Sequence, residues 1–204
     1  MTEHHTDTGQ FDQETGKLGM WIFLLTELFL FGGLFLVYAV FRAKYSLDFH
    51  NAAQELNTFI GTLNTVFLLT SSMTVAMALT AIQKNSPRLA LFLVFITILF
   101  AALFMVNKYF EWTHKFSLHI YPGSPVLKNL QKGELLFFGL YYMMTGLHAL
   151  HVFIGMILLS INLVKIRKNV VNSGHYLLLE NSALYWHLVD LIWIFLFPLL
   201  YLIT

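Results

Sequence analysis

The chain contains no cysteine among its 204 residues. This absence excludes disulfide bonds, thiol nucleophiles, thiolate zinc sites, iron–sulfur clusters and thiolate-bridged copper centres. Charged residues are also scarce, at 11% of the chain against about 25% in a typical soluble domain. With a formal net charge of only +1, the chain lacks the basic surface that nucleic-acid binding requires. Most of the protein surface is therefore expected to face something other than water.

The sequence contains five long apolar segments. A helix needs about 20 largely apolar residues to cross a bilayer, and the predicted spans cover about residues 18–41, 56–83, 89–115, 134–165 and 180–203. The predicted fold class is all-α, an integral membrane bundle of five transmembrane helices. These helices form a single domain over residues 17–204, after a polar tail at residues 1–16 that lacks the pattern of a signal peptide. Short polar loops are predicted between the spans, and the longest is at residues 119–133.

The distribution of basic residues bears on orientation in the membrane. One side of the predicted bundle, the side of the N-terminus, carries Lys17, Lys84, Arg88, Lys165, Arg167 and Lys168. The opposite side carries Arg42, Lys44, Lys108, Lys115, Lys128 and Lys132. This tie leaves the positive-inside rule undecided. Only the compact clusters at Lys84 and Arg88 and at residues 165–168 favour a cytoplasmic N-terminus.

A carboxylate interrupts the first predicted span. An ionisable side chain near the bilayer centre costs about 2.5–3.5 kcal/mol on insertion scales, which makes it a candidate functional residue. Glu27 lies about nine residues into the span, or roughly 13 Å deep at 1.5 Å per residue. Its neighbours Leu24, Leu28 and Phe31 carry no charge, so Glu27 is expected to be protonated or hydrogen-bonded to another helix. Two roles fit, one holding helices together and one handling protons.

Histidines and carboxylates recur at helical spacing in the last two spans. His148 and His151 share one helix face, as do His187 and Asp190, with Glu180 two turns away. We expect Glu180, Asp190 and the histidines to hydrogen-bond to one another in an intramembrane polar network. Haem ligation by two histidines on different helices is the alternative interpretation.

Two further motifs carry less weight. Glu111 and His114 have the spacing of a di-iron ligand pair, but a bundle site of that kind needs two such pairs and two further glutamates. No metal site is therefore predicted, and Glu111 is assigned to the polar network. Asn64 belongs to a row of small and polar residues, with Gly61 and Ser71, that is typical of close helix packing. Asn64 is also assigned to the intramembrane polar network.

Taken in order along the chain, these residues resemble subunit III of the haem-copper terminal oxidases. The similarity covers nearly everything after the N-terminal tail. It is carried by residues 19–23 leading to Glu27, residues 63–65 and 69–72, Glu111 with Trp112, residues 145–152, and residues 185–190 with Trp193.

The resemblance implies a non-catalytic accessory subunit of a complex that reduces oxygen to water and translocates protons. Such a subunit packs against catalytic subunit I, which holds the haem and copper, binds structural phospholipid and supports proton uptake. Glu27 matches the family's carbodiimide-reactive carboxylate. Lys165 falls where many members carry an arginine near a lipid headgroup, so it is a candidate headgroup ligand. The implied location is the bacterial cytoplasmic membrane.

Several departures from the family pattern leave alternatives open. The first two helices of the seven-helix form are absent, as in short bacterial members, and Lys108 and Trp112 replace a common Gln and Tyr. The electron donor, cytochrome c or quinol, stays undecided, as does membership of a respiratory supercomplex. A nitric oxide reductase accessory protein, a small proton-coupled transporter and a di-histidine haem anchor are the other readings of the sequence.

Overall fold

The computed structural model describes residues 4–121, 124 and 131–203, with side chains from residue 15 onward. Within these ranges the backbone forms α1 (His4–Lys44), α2 (Ser46–Gln54), α3 (Thr58–Gln83), α4 (Pro87–Ser117), α5 (Lys132–Arg167) and α6 (Leu177–Tyr201). The stretch Thr15–Lys44 of α1 and all of α3 to α6 are long and apolar enough to cross a membrane. The predicted all-α bundle with five membrane-spanning helices is confirmed.

The first predicted loop is wrong, because α2 forms there. Phe49, Ala52 and Ala53 of α2 are buried, and the Asp48 carboxylate accepts a hydrogen bond from the Gly133 backbone N–H at 3.1 Å. The segment is short and polar in composition, but its apolar residues fall three or four positions apart and share one helix face. The predicted turn of the longest loop lies mostly outside the described residues.

The ends of α3 and α5 are set by asparagines in the left-handed conformation. Asn85 has φ 56° and Asn169 has φ 57°, a conformation that asparagine tolerates better than most residues. Pro87 then occupies the first turn of α4, where its missing N–H costs nothing. At the N-terminal end of the chain, α1 begins at His4 and runs through the predicted boundary at residue 17. The division into tail and domain stays a prediction.

Helices α3, α4, α5 and α6 form a four-helix core in which each contacts two neighbours, and α1 lies outside it against α5 and α6. Only 6% of the most apolar stretch of α1 is buried, against 33–50% in the other spans. The largest fully buried side chains include Trp186, Trp193, Tyr141 and Tyr201. The core therefore lies between the last four spans, and most of α1 faces outward.

Side chains of the first three helices cap the C-terminal end of α6. The last carbonyls of a helix have no partner within it. Here the Tyr38 hydroxyl donates to Leu199 O, the Thr58 hydroxyl to Tyr201 O at 3.3 Å, and His50 Nδ1 to Ile203 O at 3.1 Å. One donor from each of α1, α2 and α3 thus satisfies the end of α6.

Gly155 of α5 provides a test of this packing. A Cβ at Gly155 would lie 2.6 Å from a ring carbon of Trp186, whereas a Cβ at Gly139 on the same helix would meet nothing within 4 Å. We expect Gly155→Ala to destabilise the fold by about 1–3 kcal/mol, as overpacking does, and Gly139→Ala to leave it nearly unchanged. Thermal unfolding in detergent measures both, and equal melting temperatures would contradict the packing of α5 on α6.

Candidate functional site

Glu27 of α1 is paired with His151 of α5. The distance from Glu27 Oε2 to His151 Nε2 is 2.9 Å, and the two side chains are 15% and 11% exposed. Both residues lie near the middle of their spans. The expectation that Glu27 is hydrogen-bonded to another helix is therefore met, although sequence reasoning had assigned His151 to a different network.

The contact of the second ring nitrogen of His151 shows where the protons of the pair lie. His151 Nδ1 lies 2.7 Å from the backbone oxygen of Leu147, and since a carbonyl only accepts, Nδ1 carries a hydrogen. One further proton is then shared between Nε2 and the Glu27 carboxyl. It sits either on the acid, giving two neutral groups, or on the ring, giving an ion pair. In both forms the pair has no net charge, which is what the bilayer interior requires.

A second cluster joins α4, α5 and α6. Lys108 Nζ lies 3.1 Å from Glu111 Oε2 and donates to the Tyr201 hydroxyl at 2.7 Å. The hydroxyls of Tyr141 and Tyr201 donate to Glu111 Oε1 at 2.5 and 2.6 Å. Lys108 is 2% exposed and Glu111 is 7% exposed. Both charged side chains are therefore almost entirely buried within the bundle.

Aromatic rings surround the Lys108 ammonium. Its Nζ lies 5.2 Å from the ring centres of Tyr141 and Trp193 and 5.3 Å from that of Tyr201. The face of such a ring attracts a cation within about 6 Å, most strongly when water is excluded. Ion pairing, hydrogen bonds and ring contacts together offset the cost of burying the charge.

Sequence reasoning found only part of this cluster. From the sequence, Glu111 is assigned to the polar network, but Tyr141 and Tyr201 are not singled out. Lys108 was noted only as a departure from a family pattern. The available signal was the spacing of Lys108 and Glu111, which places opposite charges on one helix face. His114, by contrast, is exposed. The side chains of Glu111 and His114, which have di-iron spacing, therefore do not face a common site.

The predicted mutual network of Glu180, Asp190 and the histidines is wrong for the described residues. Glu180 pairs with Lys17 of α1 at 3.0 Å, because it stands at the end of α6 where α1 enters the membrane. His187 Nδ1 lies 2.6 Å from the Ser72 hydroxyl of α3. Asp190 is 3% exposed, and its carboxyl lies near Ser72 but makes no hydrogen bond among the described residues.

Two other members of the predicted network are buried in different surroundings. His148 lies against the rings of Trp193 and Phe104, with ring centres at 5.2 and 5.6 Å. Neither of its nitrogens is hydrogen-bonded within the described part of the chain. Asn64 accepts from the Asn107 side chain at 2.9 Å, which joins α3 to α4. In the same described ranges, no three histidine or carboxylate side chains converge as metal ligands would.

Lys165 lies at one end of an apolar groove on the outer face of α5. The groove has a volume of about 720 Å³ and is lined by Phe153, Ile157 and Ile161, with Lys165 and Lys168 at its polar end. An alkyl chain fits the walls, and the two ammonium groups fit an anionic headgroup.

Comparison with known proteins decides the family. The family model described as cytochrome c oxidase subunit III matches residues 2–204. The chain belongs to the cytochrome c oxidase subunit III family. It is 32% identical over 192 residues to cytochrome c oxidase subunit 3 of Thermostichus vulcanus, covering 92% of this chain and 87% of that one. It is 33% identical over 193 residues to the protein of the same name from Rhipicephalus sanguineus, covering 91% and 69%.

The chain is also similar to subunits with other names. The chain is 27% identical to cytochrome bo(3) ubiquinol oxidase subunit 3 of Buchnera aphidicola, over 93% of this chain and 87% of that one. It is 28% identical to the heme-copper oxidase subunit I+III of Aeropyrum pernix, over 95% of this chain and 23% of that one. The chain is thus a multi-span membrane subunit of haem-copper oxidases, a family whose members associate with catalytic subunit I.

The two departures from the subunit III pattern have different consequences. Lys108 gains a full set of partners in the cluster described above. Trp112 packs against Tyr142 with ring centres 5.9 Å apart, but its buried Nε1 donates to no acceptor among the described residues.

The Lys108 cluster can be tested by removing one charge at a time. Glu111→Gln leaves the Lys108 ammonium without its counter-ion, and Lys108→Met does the same to the Glu111 carboxylate. Each variant is therefore expected to cost about 3–5 kcal/mol of unfolding free energy. The double variant should recover much of that loss, because neither charge is then left alone. Unfolding of the purified subunit in detergent measures this double-mutant cycle.

The matched control is the exposed pair of Lys17 and Glu180. Their side chains are 44% and 25% exposed, so Lys17→Met should change the unfolding free energy by about 0–1 kcal/mol. Additive losses in the Lys108 cycle, or a Lys17 effect of the same size, would contradict the buried cluster.

Proposed function

We propose that this chain is the accessory subunit III of a bacterial haem-copper oxidase of the cytochrome c type. It carries no haem or copper of its own and packs against catalytic subunit I, in a complex that reduces oxygen to water and translocates protons. The observation that carries this proposal is the family match over residues 2–204. The Aeropyrum pernix relative, named subunit I+III, supports the pairing with subunit I.

The site geometry supports an accessory role rather than a catalytic one. Glu27 pairs with His151 between α1 and α5, and Lys108 and Glu111 of α4 bond to the Tyr201 hydroxyl of α6. A catalytic or haem-binding site needs convergent groups with an open position, whereas these four side chains are already engaged. The quinol-oxidase type is the second candidate, supported by the Buchnera aphidicola relative.

Phospholipid binding is part of the proposed function. The groove that ends at Lys165 has walls of Phe153, Ile157 and Ile161, which match acyl chains. The Lys165 ammonium is a compact cation that binds a phosphate without the bidentate geometry of arginine. Structural phospholipid held there would cover the apolar outer face of α5.

Glu27 is the residue through which we propose that the subunit supports proton uptake by the complex. In the full complex, a hydrophobic carbodiimide should modify Glu27, because the reagent enters from the lipid and α1 is largely exposed. Glu111 should be spared by its burial and Glu180 by its ion pair with Lys17. Mass spectrometry of labelled peptides measures this, and labelling of Glu111 or Glu180 with Glu27 untouched would overturn the assignment.

Variants of Glu27 separate the proton-related role from a structural one. The amide of Glu27→Gln can still donate to His151 Nε2, so the complex should assemble and reduce oxygen. Proton release per oxygen, or durability during turnover, should decline. Glu27→Leu leaves Nε2 without a partner and should also lower the amount of subunit retained. Oxygen uptake and proton release are followed on one preparation; unchanged pumping and durability in Glu27→Gln would leave Glu27 with a structural role.

We also propose that the chain resides in a bacterial cytoplasmic membrane with its N-terminus in the cytoplasm and its C-terminus in the periplasm. The support is the pair of basic clusters at Lys84 and Arg88 and at residues 165–168. A periplasm-active alkaline phosphatase reporter fused after residue 203 should be active, and the same reporter in the loop at residues 84–86 should be inactive. The opposite pattern would reverse the orientation.

A further inference from the structure

His187 differs from the other ionisable groups near mid-membrane. It lies near the middle of α6, and its ring is half-buried at the seam with α3. Its Nδ1 is bonded to the Ser72 hydroxyl at 2.6 Å. Its Nε2 has no hydrogen-bond partner among the described residues and is not enclosed by them. One polar atom of the imidazole therefore faces out of the subunit at the depth of the lipid chains.

Lipid chains cannot satisfy such an atom. In hydrocarbon an imidazole nitrogen finds neither donor nor acceptor, and exposed polar groups at that depth are costly. The chain avoids this cost at Glu27, His151 and Lys108, where a partner comes from a neighbouring helix. The unpartnered side chains of His148 and Asp190 are enclosed within the bundle. Because Nε2 of His187 is open to the outside of the subunit, a side chain of another protein can supply its partner.

The surface around His187 consists of exposed apolar side chains along one face of α6, with a groove beside them. His187, Leu191 and Ile194 follow one another at helical spacing on α6, and the last two are 44% and 40% exposed. We call these three residues the His187 face. Beside it, an apolar groove of about 450 Å³ runs between α1 and α6 and is walled by Leu188 and Leu191. The largely unburied α1 forms the other side of this groove.

We propose that the His187 face is the docking surface for a transmembrane helix of catalytic subunit I, and that this helix presents a hydroxyl or amide side chain to His187 Nε2. The inference rests on the proposed function. A hydroxyl or amide can both donate and accept, so it pairs with either tautomer of the ring, and it carries no charge into the membrane. The apolar residues Leu191 and Ile194 supply the packing, and His187 fixes the register of the two helices.

Photo-crosslinking in the intact oxidase complex tests the location. The photoreactive residue p-benzoylphenylalanine is placed at Leu191, and at Leu99 as the matched control. Leu99 is 45% exposed near the middle of α4, diagonally across the core from α6. We expect an adduct with subunit I from residue 191 and adducts with phospholipid from residue 99.

Each other outcome has a definite meaning. If subunit I co-purifies but residue 191 yields only phospholipid, another small subunit or a second copy of this chain, the docking surface is wrong while the proposed function stands. Equal adducts with subunit I from both positions would also overturn the assignment to this face. If subunit I does not co-purify with the wild-type chain, both proposals fail.

Variants of His187 test the hydrogen bond. His187→Leu should lower the amount of subunit retained in the complex, with association about three- to tenfold weaker, as for one interhelical hydrogen bond in a membrane. His187→Gln places a nitrogen near the original Nε2 position and should restore retention. The isolated variants are compared by thermal unfolding, so that loss of folding is separated from loss of docking. Wild-type retention of a folded His187→Leu variant would overturn the proposal.

Discussion

The hydrocarbon interior of a bilayer offers no hydrogen-bond partner, and this constraint governs every polar side chain inside the bundle. A polar group there must find its complement on another helix or remain neutral. The structure meets this demand by pairing polar side chains from different helices. Glu27 and His151 join α1 to α5, and the Lys108 cluster joins α4 to α5 and α6. Because lipid gives little hydrophobic drive for helix association, such contacts also define which helix lies next to which.

The same constraint explains why burying a charge at Lys108 is tolerated. A lone ammonium in hydrocarbon would be prohibitive, but Glu111 neutralises it and two tyrosine hydroxyls satisfy the carboxylate. Three aromatic rings then lie around the ammonium. Removing one charge alone leaves the other without its counter-ion, so the cluster acts as one unit that joins three helices.

The number and approximate bounds of the spans can be predicted from the sequence, because a run of about 20 apolar residues is typical of a membrane-spanning helix. It also marks Glu27, since a carboxylate in an apolar helix is rare. What it does not carry is the choice of partners. His151 and His187 have similar neighbours along the chain, yet one faces α1 and the other faces α3. That choice depends on how each helix is rotated in the bundle, which arises from packing of large side chains such as Trp186 and Trp193.

Tyr141 and Tyr201 were missed for a related reason. Tyrosine is common in membrane helices, and nothing in its local sequence shows whether its hydroxyl points to the headgroups or to a buried carboxylate. The helix α2 was missed because four apolar residues in nine, three of them buried, are too few for a pattern based on span length. In both cases the deciding contact is with a distant part of the chain.

The separation of Glu27 and His151 along the chain has a consequence for biosynthesis. The two residues are 124 positions apart, and α1 contacts only helices that are made later. While the ribosome is still producing the middle of the chain, α1 is already in the membrane with its acid unmatched. The proton that the pair later shares must then sit on the carboxyl, because a neutral acid is the least costly form in lipid. A truncated chain that ends before α5 keeps this acid exposed to the membrane, where it distinguishes an unfinished subunit from a complete one.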